Sequence, residues 1–247
     1  MLYSTDHIHG FTLSAKDDEL GRVEDIYFDD EKWTLRYLVA NTKKWLPGKS
    51  VLIPPAALNA INMDDKYFNV NLTKQQVKDS PDIDAHKPIS RQHERELLTY
   101  YGFVPYWGMT GLWGEGSYPK DISKRENETE EIETSVANEE AHLRSAVEVI
   151  GYSIQATDSE FGYVEDFILE EDTWRIRYIV VNTKSFWFGK KVLISPNWIT
   201  NVDWETRKVY INLSKDRIKS GPEYDSNEPI TEEFEKQLDD MYKGQHI

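Results

Sequence analysis

The segment WTLRYLVANTK at residues 33–43 returns as WRIRYIVVNTK at residues 174–184, with seven of its eleven residues identical. A chain that repeats so particular a stretch has to build the same local structure twice. The same offset of 141 aligns residues 2–101 with 143–242 without a gap, about a third of the positions being identical. Two copies of one domain, each of about 100 residues, is the economical reading. It sets a first domain at 1–101, a connector at 102–142 and a second domain at 143–247.

Within the repeated stretch, Trp33, Leu35, Tyr37, Val39 and Asn41 fall on alternate positions and would line one face of a β-strand. A charged turn closed by Gly21 or Gly162 precedes GRVEDIYFD or GYVEDFILE, which reads as the strand before it. The acidic residues between the two strands, 29–32 or 170–173, suit a solvated hairpin tip. Further strands are expected at 51–53, 58–63 and 67–72 and their counterparts, with Pro55 and Pro196 ending pairing. With a first strand running through Ile8 and Gly10 to Phe11 and Leu13, or through Val149 and Gly151 to Tyr152 and Ile154, that makes six short strands per copy. Thr73 and Ser214 are placed to cap a short helix, Gln76 completing a capping box in the first copy only. Ser90 or Thr231 opens a second helix, whose apolar positions (Leu97 and Tyr101, or Phe234, Leu238 and Met241) recur at helical spacing.

The connector has two parts. Its first holds Tyr106, Trp107, Leu112 and Trp113 among five glycines, which predicts a loop packed on a domain or into a groove between domains. Its second, 120–140, is charged, acidic and nearly free of large apolar groups, and reads as a tether.

Composition narrows the function classes. A formal net charge of −15 repels a polyphosphate, so nucleic acid is disfavoured as a partner. The absence of cysteine excludes disulfides, thiolate nucleophiles and Cys-ligated zinc, and suits a reducing compartment. No window is long and apolar enough to span a membrane, and residues 1–10 lack the pattern of a signal peptide, so a cytoplasmic protein is expected.

Several matches then recur in order: Gly21-Arg22-Val23-Glu24-Asp25, Arg36-Tyr37-Leu38-Val39, Gly48-Lys49, Val51-Leu52-Ile53 with Pro55, and Leu72-Thr73-Lys74, each with its counterpart 141 residues later. On these residues each repeat resembles a PRC-barrel domain, the small barrel of the photosynthetic reaction centre H subunit and of a bacterial ribosome maturation factor. The resemblance covers about 80 residues per repeat and leaves the connector out. It implies a mainly β chain of two tandem six-stranded barrels, each with a short helix and a C-terminal helix, joined by an acidic linker. It implies an assembly or interaction role and brings no catalytic residues. The membrane helix of the one relative and the RNA-linked domain of the other have no counterpart here.

Candidate chemistry is sparse. His7 and His9 would share one face of a strand and could in principle share a metal, but the second copy has Glu148 and Ile150 there. His86, His93, His142 and His246 lack ligand spacing, so no metal or cofactor is expected. Asp25 with Arg36, and Asp166 with Arg177, recur in both copies and read as cross-strand ion pairs that fix register. Asn41-Thr42-Lys43 and Gly48-Lys49 bracket a loop that could cradle an anion, although a strand followed by a turn explains the same residues. That loop carries Trp45 in one copy and Trp187 and Phe188 in the other. With Trp107 and Trp113, these aromatics are candidate interaction residues, serving either self-packing or a partner. No catalytic signature is present. The reading is a non-enzymatic interaction module with an unidentified protein partner, pairing between its own domains or homo-oligomerisation remaining open. A ribosome- or RNA-associated assembly factor, or an enzyme with a small-ligand or metal site between the domains, is the alternative.

Overall fold

The computed structural model describes residues 1–47, 49–81, 89–122, 141–183 and 189–242. Trp187, Phe188, His86, His246, Gly48 and most of the tether, 123–140, lie outside the described residues. The first repeat runs β1 (Leu2–Ser4), α1 (Thr5–Ile8), β2 (Thr12–Ser14), β3 (Glu19–Asp29), β4 (Thr34–Asn41), β5 (Ser50–Ile53), β6 (Leu58–Asn62), β7 (Tyr67–Val70), α2 (Lys74–Lys78), β8 (Ile89–Ser90) and α3 (Arg91–Tyr100). The second runs β9 (Ala141–Ser145), α4 (Ala146–Val149), β10 (Ser153–Gln155), β11 (Glu160–Glu170), β12 (Ile176–Asn182), β13 (Lys191–Ile194), β14 (Ile199–Asp203), β15 (Lys208–Ile211), α5 (Lys215–Ser220) and α6 (Glu232–Tyr242).

The chain is mainly β, with two sheets of matching strand order. One is β5-β4-β3-β2-β7-β6 and the other β13-β12-β11-β10-β15-β14. All neighbours in both are antiparallel except β2 with β7 and β10 with β15. Every residue from Thr34 to Ala40 is buried, so β4 is covered on both faces, and its Val, Leu and Tyr content fits that setting. The repeated tryptophan is not part of the strand. Trp33 and Trp174 sit at φ 49° and 60°, in the left-handed region that closes the hairpin tip, so β4 starts one residue later and β12 two. The ring of Trp33 stacks on Phe28 at 5.4 Å.

Chain contacts divide the molecule into two compact units. One holds Met1–His7, Ala146–Glu171 and Ile176–Ile247, and the other holds Ile8–Ser145 and Asp172–Arg175. Each unit therefore takes its opening strand from the other repeat. β1 pairs with β11 in the first unit, and β9 pairs with β3 in the second. The hairpin tip carrying Trp174 also belongs to the second unit, where its ring lies 6.1 Å from that of Phe68.

Helix ends follow their capping residues. Thr73 Oγ1 accepts from Gln76 N while the Gln76 side chain accepts from Thr73 N, a capping box at α2, and Ser214 caps α5 alone. Ser90 caps α3, and Thr231 Oγ1 accepts from Phe234 N at α6. Leu97 and Leu98 of α3 enter the core of the second unit beside Tyr27, Tyr37 and Leu143. Leu238 and Tyr242 of α6 are buried in the first, where the Tyr242 hydroxyl donates to Leu193 O at 3.2 Å.

Candidate functional site

The loop after β4 is built by local hydrogen bonds. Trp45 N and Leu46 N both donate to Thr42 O, at 3.0 and 2.9 Å, and Thr42 Oγ1 donates to Lys49 O at 2.7 Å. This closure turns the half-buried Trp45 indole back onto the domain, where Nε1 donates to Leu20 O at 2.7 Å. Lys74, the first residue of α2, lies with Nζ 4.8 Å from the ring centroid, and the same ammonium sits 2.5 Å from Asp18 Oδ2. That contact and the Glu19 N–H hold the Asp18 carboxyl below its ordinary range.

Beside the indole lies a cavity of about 390 Å³, lined by Asp18, Glu19, Gly21, Arg22, Asn41, Lys44, Trp45 and Lys74. Three cations face two carboxylates here, so the local charge is opposite in sign to that of the chain as a whole. Arg22 is exposed and donates to Gly10 O at 3.3 Å, and Lys44 is exposed. Hydrogen-bond donors, a carboxylate and an aromatic edge in one groove can receive a charged segment of another molecule. Lys49, read as a candidate anion ligand, is engaged elsewhere: its ammonium donates to the carbonyls of Lys78, the last residue of α2, and of Ser80 beyond it. In the second repeat Lys190 Nζ donates to Gly221 O at 2.5 Å, and Thr183 Oγ1 donates to Lys190 O at 2.9 Å, so the lysine and the threonine are structural in both copies.

The repeated aspartates and arginines do different jobs. Arg36 Nη2 lies 3.4 Å from Asp29 Oδ2, because the register shift between Tyr27 and Phe28 sets it beside the end of β3. Asp25 instead accepts from Ser145 Oγ on β9, at 2.5 Å, and from Ile26 N. Arg177 reaches Glu235 on α6 at 3.4 Å, and Asp166 accepts from Thr5 Oγ1 and Asp6 N. Each aspartate thus ties down the arm that pairs with its own hairpin.

The sequence profile of the PRC-barrel domain matches residues 13–77 and 142–218. The chain belongs to the PRC-barrel domain family. No curated protein matches it. The Trp45 groove lies inside the first PRC-barrel match, and so do Asp25 and Arg36, whereas Trp107 and Trp113 do not.

From outside the match, Arg91, Glu94 and Tyr106 of this PRC-barrel protein join Asp29, Arg36 and Tyr37 in a buried charged cluster that sequence reasoning did not assemble. Trp107 and Trp113 are 9% and 1% exposed, so neither offers a surface. The Arg36 guanidinium lies 3.7 Å from the Tyr106 ring centroid and 4.6 Å from that of Trp113, and donates to Leu112 O at 2.6 Å. Arg91 bridges Asp29 at 3.6 Å and Glu94 at 2.9 Å, and Glu94 Oε1 accepts from the Tyr106 and Tyr37 hydroxyls at 2.7 and 3.3 Å. The acidic tip is therefore not simply solvated. Burial pushes the Asp29 carboxyl upward, but Arg36, Arg91 and two backbone N–H groups more than offset it, and it ends below its ordinary value. Burial dominates at Glu94, whose carboxyl stays above its ordinary value despite Arg91 and Tyr106. The Tyr37 and Tyr106 hydroxyls are pushed well upward by burial and by Glu94.

The repeat held one signal for this cluster. Tyr178 donates to Glu235 at 2.8 Å, the counterpart of Tyr37 and Glu94. Both residues of the pair recur at the offset of 141. Among the described residues no group of three or more His, Asp or Glu side chains is placed to hold a metal ion.

Proposed function

We propose that this PRC-barrel protein is a non-catalytic interaction or assembly module, each repeat contributing a six-stranded barrel, and that the Trp45 groove is its contact surface. It acts in the cytoplasm, a setting that a cysteine-free chain suits. The partner is a protein that presents a charged segment to Arg22 and Lys44. The observation that carries this reading is the groove itself, where an anchored indole and an exposed lysine border a cavity of about 390 Å³ in a chain of opposite net charge. Anchored aromatics ringed by polar groups are the residues through which interfaces gain most of their energy. The buried titratable groups support the same reading: Glu94, Tyr37 and Tyr106 are closed off from any substrate.

The test is capture of the native partner, identified with the wild-type chain, by Trp45→Ala and Lys44→Glu variants whose melting curves show them folded. Both should lose at least about tenfold in affinity, as hot-spot truncations do. Undiminished capture by both variants would make Trp45 a lid of its own domain and refute the groove as the contact surface.

A further inference from the structure

We infer that the opening strand of each repeat is an exchangeable arm, and that a second copy of this chain is a partner it fits. The inference does not depend on the Trp45 groove. In one unit the register is Leu2 opposite Glu170, Tyr3 opposite Leu169 and Ser4 opposite Ile168. In the other it is Leu143 opposite Asp29, Arg144 opposite Phe28 and Ser145 opposite Tyr27. Moving the arm residues forward by 141 and the acceptor residues back by 141 turns the first set into the second, residue for residue. The flanking bonds match as well: Glu171 N donates to Met1 O at 3.0 Å, and Asp30 N to His142 O at 3.1 Å. The latches are similar in kind but offset by one position: Thr5 holds Asp166 and Ser145 holds Asp25, whereas the residue matching Thr5 is Ala146 and the one matching Ser145 is Ser4.

An arm and an acceptor that both occur on both repeats form a self-complementary pair, the arrangement from which closed dimers are made. A second copy of the chain carries the same arm and the same acceptor. Exchange between copies therefore remakes every arm contact and costs only the association of two chains. The arms pair through few residues: β1 through three with β11, and β9 through three with β3 and two with β8. They also have somewhere to bend. The boundary between units falls between His7 and Ile8, and between Ser145 and Ala146. The first boundary falls inside the one-turn α1 and the second just before α4, and a left-handed glycine follows in each case, Gly10 at φ 80° and Gly151 at φ 92°, with nothing within 4 Å of where a Cβ would stand.

The chain has no cysteine, so engineered thiols report the pairing without background. The bond from Glu171 N to Met1 O makes Leu2 and Glu170 the adjacent, non-hydrogen-bonded pair, with Cα atoms about 4.5 Å apart, inside the range a disulfide spans. Full-length L2C and E170C chains are unfolded together, refolded at about millimolar concentration, where a linked arm and a free copy compete evenly, and oxidised. A disulfide-linked dimer should form. It should fall at least about tenfold when refolding is done at roughly 10 μM, and stay at background when E232C, exposed on α6, replaces E170C. The double variant L2C/E170C should close its disulfide within one chain. Closure in the double variant with no linked dimer from the mixture at any concentration would overturn exchange between copies. Failure of the double variant to close would overturn the arm pairing itself.

Discussion

Asp29 is the point where single-residue energetics in this protein are most exposed to test. Its carboxylate is 1% exposed and shared by Arg36 and Arg91, while Glu31, on the same Arg91, is 57% exposed. Removing one partner of a buried charge network strands the others, so Asp29→Asn should cost about 3–5 kcal/mol. Glu31→Gln, whose contact water screens, should cost under about 1 kcal/mol. Urea unfolding at neutral pH compares the two directly, and equal losses would contradict the buried network. Glu94 adds a pH test. A carboxyl raised in the folded state stabilises fully below its ordinary value of 4.5, and that contribution is lost as pH rises through the folded value. Asp29 has the opposite sign, its contribution being lost as pH falls through its lowered value. The stability of the native chain relative to Glu94→Gln should therefore decline as pH rises above the ordinary value of 4.5, and parallel curves would refute a raised Glu94. Arg36 and Tyr37 were legible as repeated residues. Their partners were not, because Glu94 meets Tyr37 across 57 positions of chain and nothing in a strand's periodicity reports which helix residue will cover it.

Turns and caps show how far local chemistry reads through to elements. Thr73 with Gln76, Ser90 and Thr231 announced their helices because a cap needs only residues three apart. Gly21 was legible as a turn residue, but its reason is a long-range approach. At φ 134° its missing Cβ leaves room for the neighbouring strand, since a methyl group there would stand 2.0 Å from Asn41 O. Gly162 is held in the same way at 2.4 Å from Asn182 O. Gly21→Ala must part β3 from β4 where the Trp45 loop begins, and should destabilise the protein by about 3 kcal/mol. Partner capture should weaken with it, whereas Gly10→Ala, with nothing within 4 Å, should meet only the backbone strain of its left-handed angle. Thermal unfolding of the two variants separates strand contact from strain, and equal losses would deny the close approach. The tryptophan of the repeated stretch was misplaced by one residue for a related reason. Alternation along a strand cannot say where the strand starts, and the left-handed angle at Trp33 belongs to the tip.

At the scale of the whole chain, the repeat announced two similar sheets but could not show which unit each opening strand joins. Sequence order assigns Leu143 to the second repeat, yet its side chain is fully buried in the core formed by Tyr27, Tyr37 and Leu97 of the first. Alignment is blind to this, because an arm that pairs at home and an arm that pairs with the other repeat present the same residues to the same acceptor. The energetic consequence is nonetheless distinct. Leu143→Ala opens a cavity in the unit that holds Ile8–Ser145, at a cost of about 2–5 kcal/mol. Opening of that unit should then become more frequent, and its amides should exchange faster. Hydrogen exchange read by peptide mass should therefore rise in β3, β4 and α3, all from the first repeat, while β10 to β15 keep their native rates. Tyr3→Ala should do the converse, raising exchange in β11 and β12. An arm folded onto its own repeat would reverse both results, with Leu143→Ala loosening β11 and Tyr3→Ala loosening β3.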